Sequence, residues 1–398
     1  MGRDRVGGRR IMVSRPVPRA LLAVVAGVAP VRAAADQRLE LKPSLVLGEV
    51  WDDNLFSSAE EPQADAITSF GPGLAAALRS RRFGASLSYS REAEMFARRS
   101  SLNTTGAAQS AVGTLTYAGP GGLRLEAVQR YTTTLNPSQL VPTTGLDLGR
   151  RSASQVTSEE SLSLPLGIRT RGSLRYTFAH DEIAGGLSGQ TQSAGATLER
   201  RCSGRSTVSL GYTLRRFEFG DDSVVSQVLL AGWTRSLGHR TSFRVAAGPR
   251  VASTGREAAP EVDTWLRHQF KDGELLAAYG RTEARMLGLP GVGSTESATV
   301  SLTRSVSRAL RFGLSPGVFR SRIAAADWTV YRLATQLTWS VGRAVSIAGA
   351  HQFAATRGAV PGNFSHSVFS VRLTVAPPDR PLVAADPPGK SGAAEEEP

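Results

Sequence analysis

One cysteine, Cys202, in 398 residues excludes a disulfide framework and a thiolate metal site. Lysine is nearly absent: Lys42, Lys271 and Lys390 stand against 44 arginines, in a chain of formal net charge +13. The arginines come singly, inside an apolar–polar alternation, so no basic block marks a nucleic-acid surface. Apolar content, at 41%, is too high and too even for a disordered chain. Beyond residue 35 no apolar run approaches the roughly 18 residues of a helical membrane span. That excludes spanning helices only, because a barrel strand crosses with roughly 9–11 alternating residues.

Catalytic patterns are missing too. The five histidines (180, 239, 268, 351, 366) show no His-x-x-x-His or similar ligand spacing. The one Gly-x-Ser-x-Gly, Gly313 to Gly317, lies inside the strand alternation rather than at a strand–helix elbow, no Gly-x-x-x-x-Gly-Lys-Ser/Thr phosphate loop is present, and Gly291-Val292-Gly293 precedes no helix. His180-Asp181-Glu182 is the densest titratable cluster, and at a strand end it reads as rim charge. The expectation is a protein without catalytic residues, metal or cofactor.

What is present begins with an export signal. Seven arginines, six of them ahead of the apolar run from Ala20 to Val31, lie in the first 35 residues, and the run leads into Ala33-Ala34-Ala35. This is the layout of a secretory signal peptide over 1–35, cleaved after Ala35 or, alternatively, Ala33. Translation starting at Met12 would give the same signal a shorter basic region. Removing 1–35 takes away seven Arg and one Asp, so the mature charge is +13 − 6 = +7. An exported chain has no nucleic-acid partner.

The body, 36–376, repeats one alternation. Val208, Leu210, Tyr212 and Leu214 oppose Ser209, Gly211, Thr213 and Arg215; Phe369, Val371, Leu373 and Val375 oppose Ser370, Arg372 and Thr374. A period of two sends the sets to opposite faces of a strand. Eight short turns (near 79–82, 119–122, 167–170, 202–205, 237–240, 271–273, 307–308 and 342–343) alternate with nine longer links. Those links are 52–64, 96–105, 135–149, 183–188, 220–222, 254–258, 286–294, 322–326 and 357–362. The count is eighteen strands, with sixteen to twenty as its bounds. Short turns at one end and longer loops at the other predict a single closed antiparallel transmembrane β-barrel, all-β, against the competing soluble sandwich or propeller. Every Trp and Tyr falls in a strand, many near strand ends, as interface girdles require. The polar face is Ser, Thr, Gly and Gln with single Arg or Glu, which suits a wet interior.

Energetics orients the arginines. A lipid-facing Arg at mid-depth costs about 2–4 kcal/mol. A dozen of them would exceed the roughly 5–15 kcal/mol of a typical domain's stability. Arg124, Arg175, Arg215, Arg244, Arg311, Arg332 and Arg372 are therefore expected to line the lumen, where guanidinium groups favour anions. The link 135–149 is the one able to fold inward. Residues 377–398, rich in Pro, Ala and Glu, read as a disordered tail.

One local motif stands out: Trp51-Asp52-Asp53-Asn54-Leu55-Phe56, then Asp65, then Gly71-Pro72-Gly73-Leu74. As turn chemistry, Asp and Asn bond their own backbone while Leu55 and Phe56 anchor the loop. As a calcium loop it lacks further oxygen ligands at regular spacing. With the signal peptide, this segment resembles the opening of a family of outer-membrane β-barrel porins of Gram-negative bacteria, often associated with exopolysaccharide or capsule operons. The motif covers Trp51 to Leu74 alone, and the tail after Val375 departs from the aromatic C-terminus usual in such proteins. The resemblance implies an outer-membrane location, outer-membrane lipid and the barrel assembly machinery as partners, and exopolysaccharide or its export proteins as further ones. It supplies no catalytic residues. The expected function is a porin-like channel; the alternative is a non-conducting barrel that holds a polymer or partner protein.

Overall fold

The computed structural model describes residues 38–377 except 142–143, 147, 254–257, 324–325 and 359–361. The signal-peptide expectation and the tail from 378 onward lie outside the described residues. Eighteen strands run in order: β1 (Arg38–Asp52), β2 (Asp65–Arg79), β3 (Phe83–Phe96), β4 (Thr104–Ala118), β5 (Arg124–Thr134) and β6 (Ala153–Pro165). They continue as β7 (Thr170–Ile183), β8 (Gly189–Ser203), β9 (Ser206–Phe219), β10 (Asp222–Ser236), β11 (Thr241–Ala252) and β12 (Ala259–Phe270). The last six are β13 (Gly273–Arg285), β14 (Val292–Ser305), β15 (Leu310–Ile323), β16 (Ala326–Ser340), β17 (Val345–Gly358) and β18 (Phe364–Val375).

Each strand pairs antiparallel with its neighbours in sequence, and β1 closes the ring on β18 from Leu45↔Val375 to Asp52↔Val368. Closure leaves no edge strand, so every ladder hydrogen bond has a partner inside the wall. Links at the turn end, where β1 begins and β18 ends, are no longer than five residues; those at the loop end run up to the eighteen between Thr134 and Ala153. Residues 220–221, expected as one of the longer links, form a two-residue connection in which Gly220 has a φ of +58°.

Alternation sorts the two faces. Leu47, Trp51, Leu210, Tyr212, Leu337 and Trp339 are exposed on the outside, and their pairing partners carry the same parity around the ring. Trp51 stacks on Phe369 at 5.4 Å across the β1–β18 seam, and Trp233 meets Phe243 edge-on at 5.1 Å. Two tryptophans depart from the girdle expectation. Trp265 lies on the parity opposite the exposed Leu266, and Trp328, 1% exposed, packs inside with Val330 and Phe319. At the loop end the barrel has a core of its own, so there apolar residues occupy the inner face as well.

Candidate functional site

The inside of the barrel is built by the β5–β6 loop. Leu135 O accepts a bond from Arg151 N at 2.9 Å, so the loop leaves and returns at one point of the wall. Between these residues the chain runs inward. Leu146 packs with Met286, Phe319, Ile323, Trp328 and Val330. Arg332 donates to Gly145 O at 3.1 Å, and its guanidinium sits 5.3 Å from the Phe319 ring. β5–β6 and β15–β16 are ten strands apart one way round the eighteen-strand ring and eight the other, so this loop is a strap across the lumen.

Two glycines shape the strap. Gly145 (φ +64°) lies so close to the Phe319 ring that a Cβ would come within 2.7 Å of it. Gly149 (φ +65°) leaves space for a Cβ only 2.3 Å from Phe56 O, which brings the strap against the first loop. The near end is held by Leu140 against Ala153, Ile183 and Leu287, and by Arg150, which bonds Glu94 and lies 4.6 Å from the Phe96 ring. Burial pulls the Arg150 guanidinium below the usual arginine range, against the opposing charges of Asp52 and Glu92.

Buried ion pairs tie the upper wall together. Arg215 grips Glu261 with two bonds, 2.6 and 3.0 Å, and Thr282 Oγ1 donates to the same carboxylate at 3.2 Å. Arg250 lies 3.6 Å from Glu261 and 3.8 Å from Glu283. Arg285 bonds Asp181, which links the loop end of β13 to that of β7, six strands away around the ring. The sequence marks Asp181 only as part of the His180–Glu182 rim cluster and does not point to its partner Arg285 or to the Glu94–Arg150 pair, because charges far apart in the chain carry no local pattern. The inward apolar residues did leave a signal. Phe217, Phe219, Trp328 and Val330 break the apolar-out alternation at their strands' loop ends.

Register places the seven arginines of the expected lumen set on the inner parity, opposite exposed neighbours such as Leu125, Leu174, Val245 and Tyr331. They stand at several heights rather than in one ring. Arg215 and Arg332 belong to the upper wall just described. Arg175 lies 3.3 Å from Glu159, and Arg244 is 3.7 Å from Asp263. Arg124, Arg311 and Arg372 lie toward the turn end and have no salt bridge among the described residues.

The first-loop motif is a seam lock. Trp51 faces out, while Asp52 accepts from Asn54 N (2.9 Å) and from His366 Nε2 (2.8 Å), and Asp53 accepts from Ser367 N at 2.7 Å. Asn54, 2% exposed, donates to Ser58 O and Ser365 O and accepts from Ser58 N. Leu55 packs with Ile67 and Phe96, and Phe56 is half-exposed. Asp52, Asp53 and His366 bring ligand atoms within 4.8 Å of one another, but those groups are already engaged in closing β1 onto β18. Asn54→Ala strands three backbone groups, so we expect a loss of about 1–3 kcal/mol. The readout is a lower temperature for the change from folded to unfolded gel mobility, with Phe56→Ala close to neutral. The His180-Asp181-Glu182 cluster is split by the same alternation: Asp181 points in to Arg285, while His180 and Glu182 pair outside at 3.5 Å.

No family model matches the chain, and no curated protein does. Among solved structures, the barrel is similar to OccK2 (OpdF) of Pseudomonas aeruginosa, at 14% identity over 85% of this chain and 98% of that one, with a TM-score of 0.49. It is similar to OccAB4 of Acinetobacter baumannii at 10% identity (87% and 100% covered, TM-score 0.48). It is also similar to an anion-selective porin from Comamonas acidovorans at 11% identity (86% and 100% covered, TM-score 0.39). At these values the likenesses decide nothing about solute or selectivity. What the chain's own geometry defines is a closed, antiparallel, eighteen-stranded β-barrel with an internal strap.

Proposed function

We propose that this chain is an outer-membrane channel whose wide, arginine-bearing turn-end vestibule draws anions toward the strap. One observation carries the reading: around the closed ring, side chains sort into an apolar and aromatic outside and a polar, charged inside. A soluble barrel would gain nothing from exposing Leu, Trp and Tyr on nearly every strand, whereas lipid pays back each of them. By the build of such barrels the turn end faces the periplasm and the long loops face outward.

In the vestibule, Arg124, Arg311 and Arg372 supply positive charge that no carboxylate among the described residues cancels by direct pairing. In a planar bilayer with a salt gradient, we expect anion preference, reduced in the Arg124→Gln/Arg311→Gln/Arg372→Gln triple variant. Cation selectivity of the unaltered protein would sink the reading. An acidic polymer, which the resemblance to exopolysaccharide-associated porins brings in, fits the same charge; competition of an acidic oligosaccharide with chloride conductance tests it.

A second reading has its own observation. The strap bonded to the opposite wall favours a barrel that conducts little until the strap moves, or one that holds a partner without conducting at all.

A further inference from the structure

On the lipid-facing side, two charges stand away from the rims. Arg91 and Glu160 each lie five or more residues from either end of β3 and β6, whereas every other outward Asp, Glu or Arg lies within four residues of an end. Their faces follow from pairing: Arg91 shares its parity with the exposed Tyr89, and Glu160 sits opposite the exposed Tyr176. Neither has an ionic partner among the described residues. Arg91 donates from Nε to Thr105 O at 2.8 Å; Glu160 takes one bond from Ser158, and its Oε2 is buried with no hydrogen-bond partner. Between them, the outer face of β4 and β5 carries Ala111 beside Tyr131 and Gly113 beside Gln129, with Ala127 next to Glu160.

The two charges also match in height. Arg91 leads along the pairing direction through Gln109 and Thr133 to Ser154, six residues nearer the loop end of β6 than Glu160. That direction climbs: the same row starts at Val375, the turn-end residue of β18, and reaches Glu182 near the loop end of β7. With strands tilted by roughly 40°, six residues rise about 15 Å while three strand spacings give back about 9 Å, leaving about 6 Å between the two charges.

We propose that this face is a two-fold interface with a second copy of the chain, centred on β4–β5. The proposal rests on the reading that the apolar outside faces lipid. A two-fold axis along the membrane normal sets β3 of one copy opposite β6 of the other, so Arg91 meets Glu160 of the partner subunit twice. Ala111 and Gly113 leave room beside Tyr131 for the two walls to approach and both pairs to form. The occupant is a second copy because the face is complementary in charge to itself under that rotation.

The test uses cross-linking in outer membranes, with Cys202→Ser as background. Gly113→Cys, outward on β4 near the axis, is expected to give a band at twice the monomer mass with a short bis-maleimide, and Ala231→Cys, outward on β10, is not. Arg91→Glu or Glu160→Arg should each lower the dimer yield at position 113 several-fold, and R91E/E160R should restore it. Every variant is checked for the change in mobility on boiling that reports a folded barrel. Folded variants with no dimer at position 113, equal yield at 113 and 231, or no restoration in the double variant would overturn the interface. Loss of the mobility change in the Cys202→Ser parent, or its recovery as a soluble protein, would instead overturn the membrane barrel itself.

Discussion

Replacing residues 137–149 with two glycines is expected to raise single-channel conductance several-fold, while the barrel keeps its folded mobility. The hairpin survives because the strap leaves and returns at the Leu135–Arg151 backbone bond, so β5 and β6 need only a short turn between them. The conductance rises because the strap is the one described segment that reaches from β5–β6 to the inner faces of β15 and β16. The exchange uncovers Phe319, Val330 and Trp328 to the lumen, so some heat resistance is lost with it. An unaltered conductance would mean that current does not pass the strap, and would leave the barrel a holder of polymer or protein rather than a channel. A milder version points the same way. Arg332→Gln removes the cation over the Phe319 ring and weakens the bond to Gly145 O, so brief openings should become frequent without loss of the strap.

The second large effect concerns Arg285. Both members of the Arg285–Asp181 pair are about 5% exposed or less, so Arg285→Ala leaves a carboxylate buried without its counter-charge. A loss of about 3–5 kcal/mol is expected, seen as unfolded mobility at a temperature where the unaltered barrel is still folded. The double variant Arg285→Leu/Asp181→Leu should recover much of that loss, because removing both charges removes the desolvation cost as well. Gly189→Ala offers an independent route. A Cβ there would lie 2.2 Å from Arg285 Nη1, so the added methyl displaces the guanidinium without touching either charge. If Arg285→Ala and the double variant lose equal stability, the pair is packing rather than electrostatics.

How legible all this was in the sequence differs from element to element. Strand number came through, because period-two alternation such as Leu174-Arg175-Tyr176-Thr177 is a local property and each turn announces itself in a few residues. The inward parity of Arg311 or Arg372 followed from the same alternation once the apolar set was assigned to lipid. Trp328 and Trp265 misled, since an aromatic near a strand end has the same local appearance in a girdle and in an inner core. The first-loop motif was visible as turn chemistry, but its partners, His366, Ser365 and Ser367, lie more than 300 residues away in the chain.

The sequence by itself determined the wall: an even number of alternating strands, which face is apolar, and short turns at one end. Tertiary structure alone decided what fills the wall and what closes it. A residue's parity is fixed by its immediate neighbours, whereas Gly145 against Phe319, Asp181 against Arg285 and Asn54 against Ser365 are contacts across a ring. They exist only because closure brings distant strands to the same lumen, and no short-range pattern encodes which two will meet.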